Sequence, residues 1–208
     1  AARLTDAERT KVAETIVYAA DGLPVTLGTT ANSTKAVIDR SIEAEKLGSA
    51  AIMVSAPSMQ KANTDNLFAH YARLAERVSI PIVMQDYPQV SGVEMPVSFI
   101  ARVAEEIPQV KYLKLEDPPT PTKISLIRDQ IGDRLGIFGG LGGVFLLDEL
   151  RRGAIGAMTG FAYPEVLVKI CSLMKDGCTE EAENLFYQYL PLIQFEQQEG
   201  IGLAIRKA

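Results

Sequence analysis

Apolar positions along the chain follow two alternating patterns. Short runs of consecutive apolar residues, typical of buried parallel strands, are separated by segments in which apolar residues recur every three or four positions, as in amphipathic helices. The short runs predict six strands, at 25–29, 50–55, 80–85, 110–117, 135–138 and 154–159. A repeat of strand and helix every ~25–30 residues is typical of a parallel β/α fold.

The longer segments predict helices, and several begin with recognisable capping residues. Thr5 followed by Glu8 forms a capping box, 32–34 contains N-cap candidates, and Asn63 or Thr64 opens a third helix. The predicted helices are 4–19, 34–47, 64–78, 96–107, 122–131, 142–152, 164–175 and 179–198, with a short one after residue 200. The last two form a helical tail after the final strand.

Composition limits the class of protein. The 208 residues, 47% of them hydrophobic, are enough to bury one substantial core, so one domain is expected. The net charge of -5, without a basic cluster, argues against nucleic acid or an anionic membrane as the main partner. No apolar run approaches the ~20 residues of a spanning helix, and no secretory leader pattern opens the chain.

The cysteines and the single histidine give no sign of a metal site. Cys171 and Cys178 are predicted to be unpaired thiols in a reducing cytoplasm. Together with His70 they do not make a metal-ligand cluster, and His70 is expected on a helix surface. We therefore expect no metal and no cofactor, and a cytoplasmic location.

The strand at 110–117 carries the chain's most distinctive chemistry. It stops at Pro118, and alternation along it places Tyr112, Lys114 and Glu116 on one face. A lysine and a glutamate at the carboxyl end of an apolar strand are costly unless they pair or face a cavity. The carboxyl ends of strands carry the chemistry in barrel enzymes. A solvent-exposed lysine on an edge strand is the alternative.

The order and content of these segments resemble the dihydrodipicolinate synthase / N-acetylneuraminate lyase family of Schiff-base lyases. The resemblance extends over nearly the whole chain and is carried by 4–9, 24–29 with 32–34, 81–88 with 91–92, 110–114, 139–140 and 153–157. It implies that Lys114 is the Schiff-base lysine. It also implies a homo-oligomer, either a dimer or a tetramer.

The fold implied by this resemblance is a (β/α)8 TIM barrel with a C-terminal helical extension. Residues 1–163 would form strands three to eight of the barrel, and residues 164–208 its last helix and the extension. The first two strands would be lacking in this sequence. A literal six-stranded remnant would leave two open sheet edges and is expected to aggregate.

The sequence departs from the family pattern at three places, one of them a residue pair. Gln85 stands where the synthases carry a proton-relay tyrosine, Val90 where an arginine often binds an incoming carboxylate, and Ser58-Met59 where a tyrosine pair is found. Gln85 forms hydrogen bonds but does not titrate. The resemblance therefore disfavours dihydrodipicolinate synthase activity itself.

The candidate site residues follow from this strand-end chemistry. A lysine amine has an ordinary pKa of about 10.4, and removal from water favours its nucleophilic neutral form. Lys114 is the predicted nucleophile, and Glu116 and Tyr87 are the candidate acid–base groups, each with a structural role as the alternative. The predicted substrate-binding residues are Gln85, Gly139, Gly140, Thr159 and Gly160; a tight turn explains the glycine pair equally well.

These residues lead to two main hypotheses. The first is a Schiff-base lyase on a pyruvate-type 2-oxo acid, acting as aldolase or dehydratase on a 2-keto-3-deoxy sugar acid. The second is a non-catalytic small-molecule-binding barrel that has lost its proton-relay tyrosine. A third, an open flavodoxin-like sheet that binds a nucleotide, is disfavoured because no strand is followed by a Gly-x-Gly-x-x-Gly turn.

Overall fold

A computed structural model of the protein describes residues 4–57, 63–198 and 200–207. Within them, six strands hydrogen-bond in chain order, from β1 to β6. β1 pairs in parallel with β2, β2 with β3, and β5 with β6. The strands are β1 Thr26–Gly28, β2 Ala51–Ser55, β3 Ile82–Asp86, β4 Val110–Leu115, β5 Gly136–Gly139 and β6 Gly156–Ala157. The predicted parallel β/α architecture is thereby confirmed.

Helices alternate with these strands and extend past the last one. They are α1 Asp6–Ala19, α2 Thr34–Lys46, α3 Thr64–Ala75, α4 Pro88–Ser91, α5 Val97–Glu106, α6 Thr120–Ile131, α7 Leu146–Arg151, α8 Pro164–Lys175, α9 Thr179–Glu196 and α10 Gly202–Ile205. The short α4 was not predicted. In the described part of the chain, no helix is both long enough and apolar enough to cross a membrane.

Several predicted elements differ in length from the structure, two of them markedly. The last strand, expected over 154–159, is only two residues long. The helix expected from residue 142 is interrupted at its start, because Gly142 and Gly143 have positive φ angles of 70° and 87°. This left-handed backbone is incompatible with an α-helix, so Leu141–Gly143 forms a single 3-10 turn and α7 begins at Leu146.

The chain divides into two compact units, Ala1–Leu113 and Lys114–Ala208. In the first, β2 and β3 supply a fully buried apolar core that includes Ile52 and Met84. The predicted capping box of Thr5 and Glu8 is present, and Ser33 and Asn63 cap α2 and α3 with their side chains. The sequence-based division into 1–163 and 164–208 refers to family architecture and stays a prediction.

The expected surface position of His70 is wrong. Its side chain is buried, and Nδ1 lies 2.9 Å from the Thr34 hydroxyl. His70 falls three residues after Leu67 and four before Leu74, so it lies on the apolar face of α3. Burial lowers the pKa of His70 to about 4 and keeps the imidazole neutral near pH 7.

The second unit has its own hydrophobic core, formed where α7, α8 and α9 pack together. Its buried residues include Leu146, Leu167, Ile170 and Phe186. The short α10 is tied to the end of α9 by Arg206, whose Nε donates to Glu196 Oε2 at 3.1 Å. This core holds α7 beside the loops that follow β4 and β5.

Candidate active site

Lys114 and Glu116 form a largely buried ion pair at the end of β4. The Nζ of Lys114 lies 2.9 Å from Oε2 of Glu116, and the two side chains are only 13% and 8% exposed. Leu113 and Leu115, which the alternation along the strand places on the opposite face, are fully buried. Lys114 is therefore not the solvent-exposed edge-strand lysine that the sequence left open. The strand ends at Leu115, two residues earlier than predicted.

The Glu116 carboxylate rests against the backbone of Gly140. A Cβ atom on Gly140 would overlap this carboxylate. The Leu141 backbone N–H donates to Glu116 Oε1 at 3.4 Å. Close approach by the protein's own carboxylate thus gives a physical reason for glycine here, while the predicted contact of Gly140 with substrate stays a prediction.

Gly139 has an equivalent neighbour, Glu149, which the sequence analysis missed. A Cβ on Gly139 would overlap the Glu149 carboxylate. Glu149 is fully buried, and its Oε1 accepts a hydrogen bond of 2.5 Å from Thr120 Oγ1. Burial raises the pKa of Glu149 to about 7. The available signal was spacing, because Glu149 lies three residues after the buried Leu146 and so on the inner side of α7.

Thr159 and Gly160, predicted to bind substrate, contact other residues of the second unit. The Thr159 Cγ2 atom lies beside Gly143, 3.8 Å from where a Cβ would stand. Gly160 lies beside Arg206, whose Nη1 would be 2.8 Å from such an atom. Their contacts fix the loop after β6 and the C-terminal segment, and their role in binding stays a prediction.

In the first unit, an open cavity of about 580 Å³ lies beyond the ends of β1, β2 and β3, and its lining combines polar residues with apolar ones such as Leu4, Pro57 and Val90. The Ser55 backbone N–H donates to Thr30 Oγ1 at 3.0 Å, and the Ser55 hydroxyl donates to Gln85 Oε1 at 2.9 Å. Asn32 and Arg40 also line the cavity. Of these residues, only Gln85 is among the predicted substrate-binding residues.

Two further positions singled out from the sequence, Tyr87 and Val90, lie at α4. Tyr87 is half-buried and precedes α4, and Val90 is 72% exposed on that helix. Ser58 and Met59 lie outside the described residues. The acid–base role of Tyr87 stays a prediction.

Within 4–57, 63–198 and 200–207, no group of three or more His, Cys, Asp or Glu side chains is arranged to hold a metal ion. Cys171 is half-buried and Cys178 is exposed, and both are free, as predicted.

Comparisons with known proteins agree on one family. Residues 1–208 match the model of the dihydrodipicolinate synthetase family. An L-2-keto-3-deoxyarabonate dehydratase from Azospirillum brasilense is 34% identical over 99% of this chain and 67% of its own length. A 4-hydroxy-tetrahydrodipicolinate synthase from Methanopyrus kandleri is 30% identical over 91% of this chain and 63% of its own length. The chain thus spans about two thirds of the length of these relatives.

Solved structures lead to the same family. The crystal structure of a dihydrodipicolinate synthase from Rhodopseudomonas palustris superposes with a TM-score of 0.89 at 33% identity, covering 98% of this chain and 69% of that one. A second synthase structure, from Aquifex aeolicus, gives a TM-score of 0.87 at 25% identity, covering 95% and 68%. The flavodoxin-like alternative is therefore wrong.

Proposed function

Because the chain belongs to the dihydrodipicolinate synthetase family, we propose that Lys114 forms a Schiff base with a pyruvate-type 2-oxo acid. The enzyme would act as a dehydratase or aldolase on a 2-keto-3-deoxy sugar acid. The observation that supports this most directly is the buried contact of 2.9 Å between Lys114 and Glu116 at the end of β4. Removing a charged pair from water costs free energy of solvation, and this cost favours a functional role for the pair.

Glu116 supplies the proton acceptor that the lysine needs. An ammonium group has no lone pair, so Lys114 must lose a proton before it attacks, and Glu116 Oε2 is within hydrogen-bond distance of Nζ. Nζ then bonds to C2 of the 2-oxo acid. The carbonyl oxygen leaves as water, carrying one proton returned by Glu116 and one more from the nitrogen. The product is an iminium ion, so one positive charge still faces the Glu116 carboxylate.

The iminium ion then acts as an electron sink for chemistry at C3. In a dehydratase, the C3 proton goes to a base, and the resulting enamine expels the C4 hydroxyl, which leaves as water with a proton from an acid. In an aldolase, the C4 hydroxyl loses its proton and the C3–C4 bond breaks, leaving its electrons in the enamine. Tyr87 is the proposed group for one of these proton transfers, since Gln85 does not titrate.

The sugar-acid substrate is favoured over the synthase reaction by two observations. The relative that is 34% identical is named as a dehydratase of a 2-keto-3-deoxy sugar acid. Gln85 and Val90 stand where the synthase pattern has a tyrosine and an arginine.

The same family membership supports a finer assignment of the fold. We infer that β1 to β6 correspond to strands three to eight of a (β/α)8 barrel, in agreement with the fraction of each relative that the chain spans. We also infer that the whole protein works as a cytoplasmic homo-oligomer.

Borohydride trapping tests the proposed chemistry. Incubation with pyruvate and borohydride should leave a reduced adduct on the peptide that contains Lys114, and Lys114→Ala should abolish it. The matched control is Lys111→Ala, an exposed lysine on the same strand, which should trap normally. Pyruvate binding without any adduct would instead favour the non-catalytic binding protein.

A panel of 2-keto-3-deoxy acids then separates the two lyase reactions. Release of pyruvate with an aldehyde identifies an aldolase, whereas loss of one water with an intact carbon chain identifies a dehydratase. Condensation of pyruvate with aspartate semialdehyde, the synthase reaction, is expected to be undetectable and would overturn the sugar-acid assignment.

A further inference from the structure

Two carboxyl groups lie against two consecutive glycines at the end of β5. Glu116 rests on Gly140 and pairs with Lys114. Glu149 rests on Gly139 and has no part in the mechanism proposed above. A buried carboxyl group on the glycine next to the one that Glu116 contacts calls for a physical explanation.

The Glu149 carboxyl group is enclosed but only half satisfied. Its Oε1 accepts from Thr120 Oγ1, whose own side chain is fully buried. Its Oε2 is buried and has no hydrogen-bond partner within the described ranges. An ionised carboxylate left in this state loses hydration that nothing replaces, whereas the protonated form loses much less. The surroundings therefore favour a neutral carboxylic acid.

Neighbouring charges act in the same direction. Burial is the largest cause that raises the pKa of Glu149, and the negative charges of Asp148 on α7 and Glu116 beyond β4 raise it further. Only the Thr120 hydroxyl, on α6, opposes them by stabilising the anion. The result, about 7, lies in the range where the group is half protonated under ordinary conditions.

The two arginines at the end of α7 bind groups other than the Glu149 carboxyl group. Arg151 pairs with Asp148 and with Glu183 of α9. Arg152 is exposed and donates to the backbone oxygen of Asp148. On α8, Cys171 is half-buried, and burial raises the pKa of its thiol, which favours the neutral form. Glu116, by contrast, both raises the pKa of Glu149 and pairs with Lys114.

We propose that Glu149 is a positioning residue for Lys114: a buried carboxyl group that carries a proton in the active form and, through Glu116, controls how readily the lysine amine becomes neutral. The inference rests on the proposed Schiff-base function. With Glu149 neutral, one carboxylate faces one cation, both before the reaction and in the iminium ion. With Glu149 ionised, a second negative charge stabilises the ammonium form and holds back the nucleophile.

The test is the pH dependence of pyruvate-dependent borohydride trapping on Lys114, compared between the wild-type chain and Glu149→Gln. Glutamine has the shape of the protonated acid and cannot ionise. At pH 6 the two trapping rates should be equal within about twofold. By pH 8 the variant should trap about five- to tenfold faster, with the ratio rising around pH 7. A ratio that stays constant with pH, or an adduct lost from Glu149→Gln at every pH, would overturn the proposal.

Two further substitutions keep the test decisive if Glu149→Gln fails to fold. Thr120→Val removes the donor that stabilises the Glu149 anion, so the alkaline suppression of trapping should begin at higher pH. Asp148→Asn removes a negative charge from an exposed position on α7, so the alkaline suppression of trapping should begin at lower pH. Shifts in the same direction, or no shift in either variant, would contradict the proposal.

A second readout separates this proposal from the proposed function. Trinitrobenzenesulfonate reacts only with neutral amines, so its reaction with Lys114, followed by peptide mass spectrometry, needs no Schiff base. If the wild-type chain forms no pyruvate adduct, the lyase function fails. Glu149→Gln should nevertheless show the same rising ratio with this reagent, and a flat ratio would refute the role of Glu149 on its own.

Discussion

The two units each bury a titratable side chain beside a threonine hydroxyl, with opposite consequences. In Ala1–Leu113, His70 pairs with Thr34, and burial lowers its pKa to about 4. In Lys114–Ala208, Glu149 pairs with Thr120, and burial raises its pKa to about 7. Desolvation favours the neutral form of both groups. His70 is thereby removed from titration near neutral pH, whereas Glu149 is brought into it.

The pKa directions also predict opposite effects on stability between pH 7 and 4.5. His70 binds its proton more weakly in the folded chain, so its contribution is present above its ordinary value of 6.5 and is lost as the pH falls towards 4. Glu149 binds its proton more tightly when folded, so its contribution is full below 4.5 and is lost as the pH rises through 7. In the wild-type chain these two contributions largely cancel.

The largest expected change in the pH dependence of stability comes from removing the Glu149 contribution. In Glu149→Gln only the His70 contribution remains. Lowering the pH from 7 to 4.5 should therefore reduce the free energy of unfolding of the variant by about 2–3 kcal/mol relative to the wild-type change. The size follows because a tenfold change in an ionisation constant is worth about 1.4 kcal/mol. Urea unfolding at a series of pH values measures it. A curve parallel to that of the wild type would show that Glu149 does not titrate abnormally.

His70→Asn should give the mirror image. Here only the Glu149 contribution remains, so the same drop in pH should increase the free energy of unfolding by about 2 kcal/mol relative to the wild type, on top of a constant cost for the lost side chain. Because His70 is the only histidine in the chain, its proton NMR titration gives an independent check. A midpoint near 6.5 would rule out the buried neutral imidazole.

A smaller effect tests the close packing of Glu149. Gly139→Ala places a methyl group where the Glu149 carboxylate lies, and overpacking of this kind costs about 1–3 kcal/mol. Gly28→Ala is the matched control: it also ends a strand, but its Cβ would meet nothing within 4 Å. Thermal unfolding should separate the two variants clearly. Equal stability would mean that Glu149 is not packed on β5.

The smallest effects come from the two threonines. Thr34→Val and Thr120→Val each remove one hydroxyl partner at nearly constant volume, and each should cost about 1 kcal/mol near pH 7. Only Thr120→Val should also change the pH dependence of stability in the neutral range, because the Thr120 hydroxyl lowers the pKa of Glu149. A change of that kind in Thr34→Val would undo the contrast between the two units.

The direction of side chains along a strand could be predicted from the sequence, because it depends on periodicity. The burial of individual polar side chains could not. The alternation along β4 correctly separated Leu113 and Leu115 from Lys114 and Glu116, because side-chain direction in a strand follows position alone. His70 and Glu149 were misjudged or overlooked because charged and polar residues are assigned to surfaces by default. Their spacing from Leu67 and Leu146 placed them on inner faces, but only tertiary packing shows that those faces are closed.

Backbone detail was the second limit. The left-handed Gly142 and Gly143 delay α7 to Leu146, and nothing in the hydrophobic pattern signals this interruption. The glycine pair 139–140 was noticed, yet its close contact with two carboxylates follows from residues about 10 and 24 positions away.

The most direct test of the whole account is mass spectrometry of the chain after borohydride reduction with pyruvate. We expect a single reduced adduct located on Lys114, present in the Lys111→Ala control and absent from Lys114→Ala. An adduct on another lysine, or none at all with the correctly folded chain, would contradict the assignment of Lys114 as the Schiff-base residue.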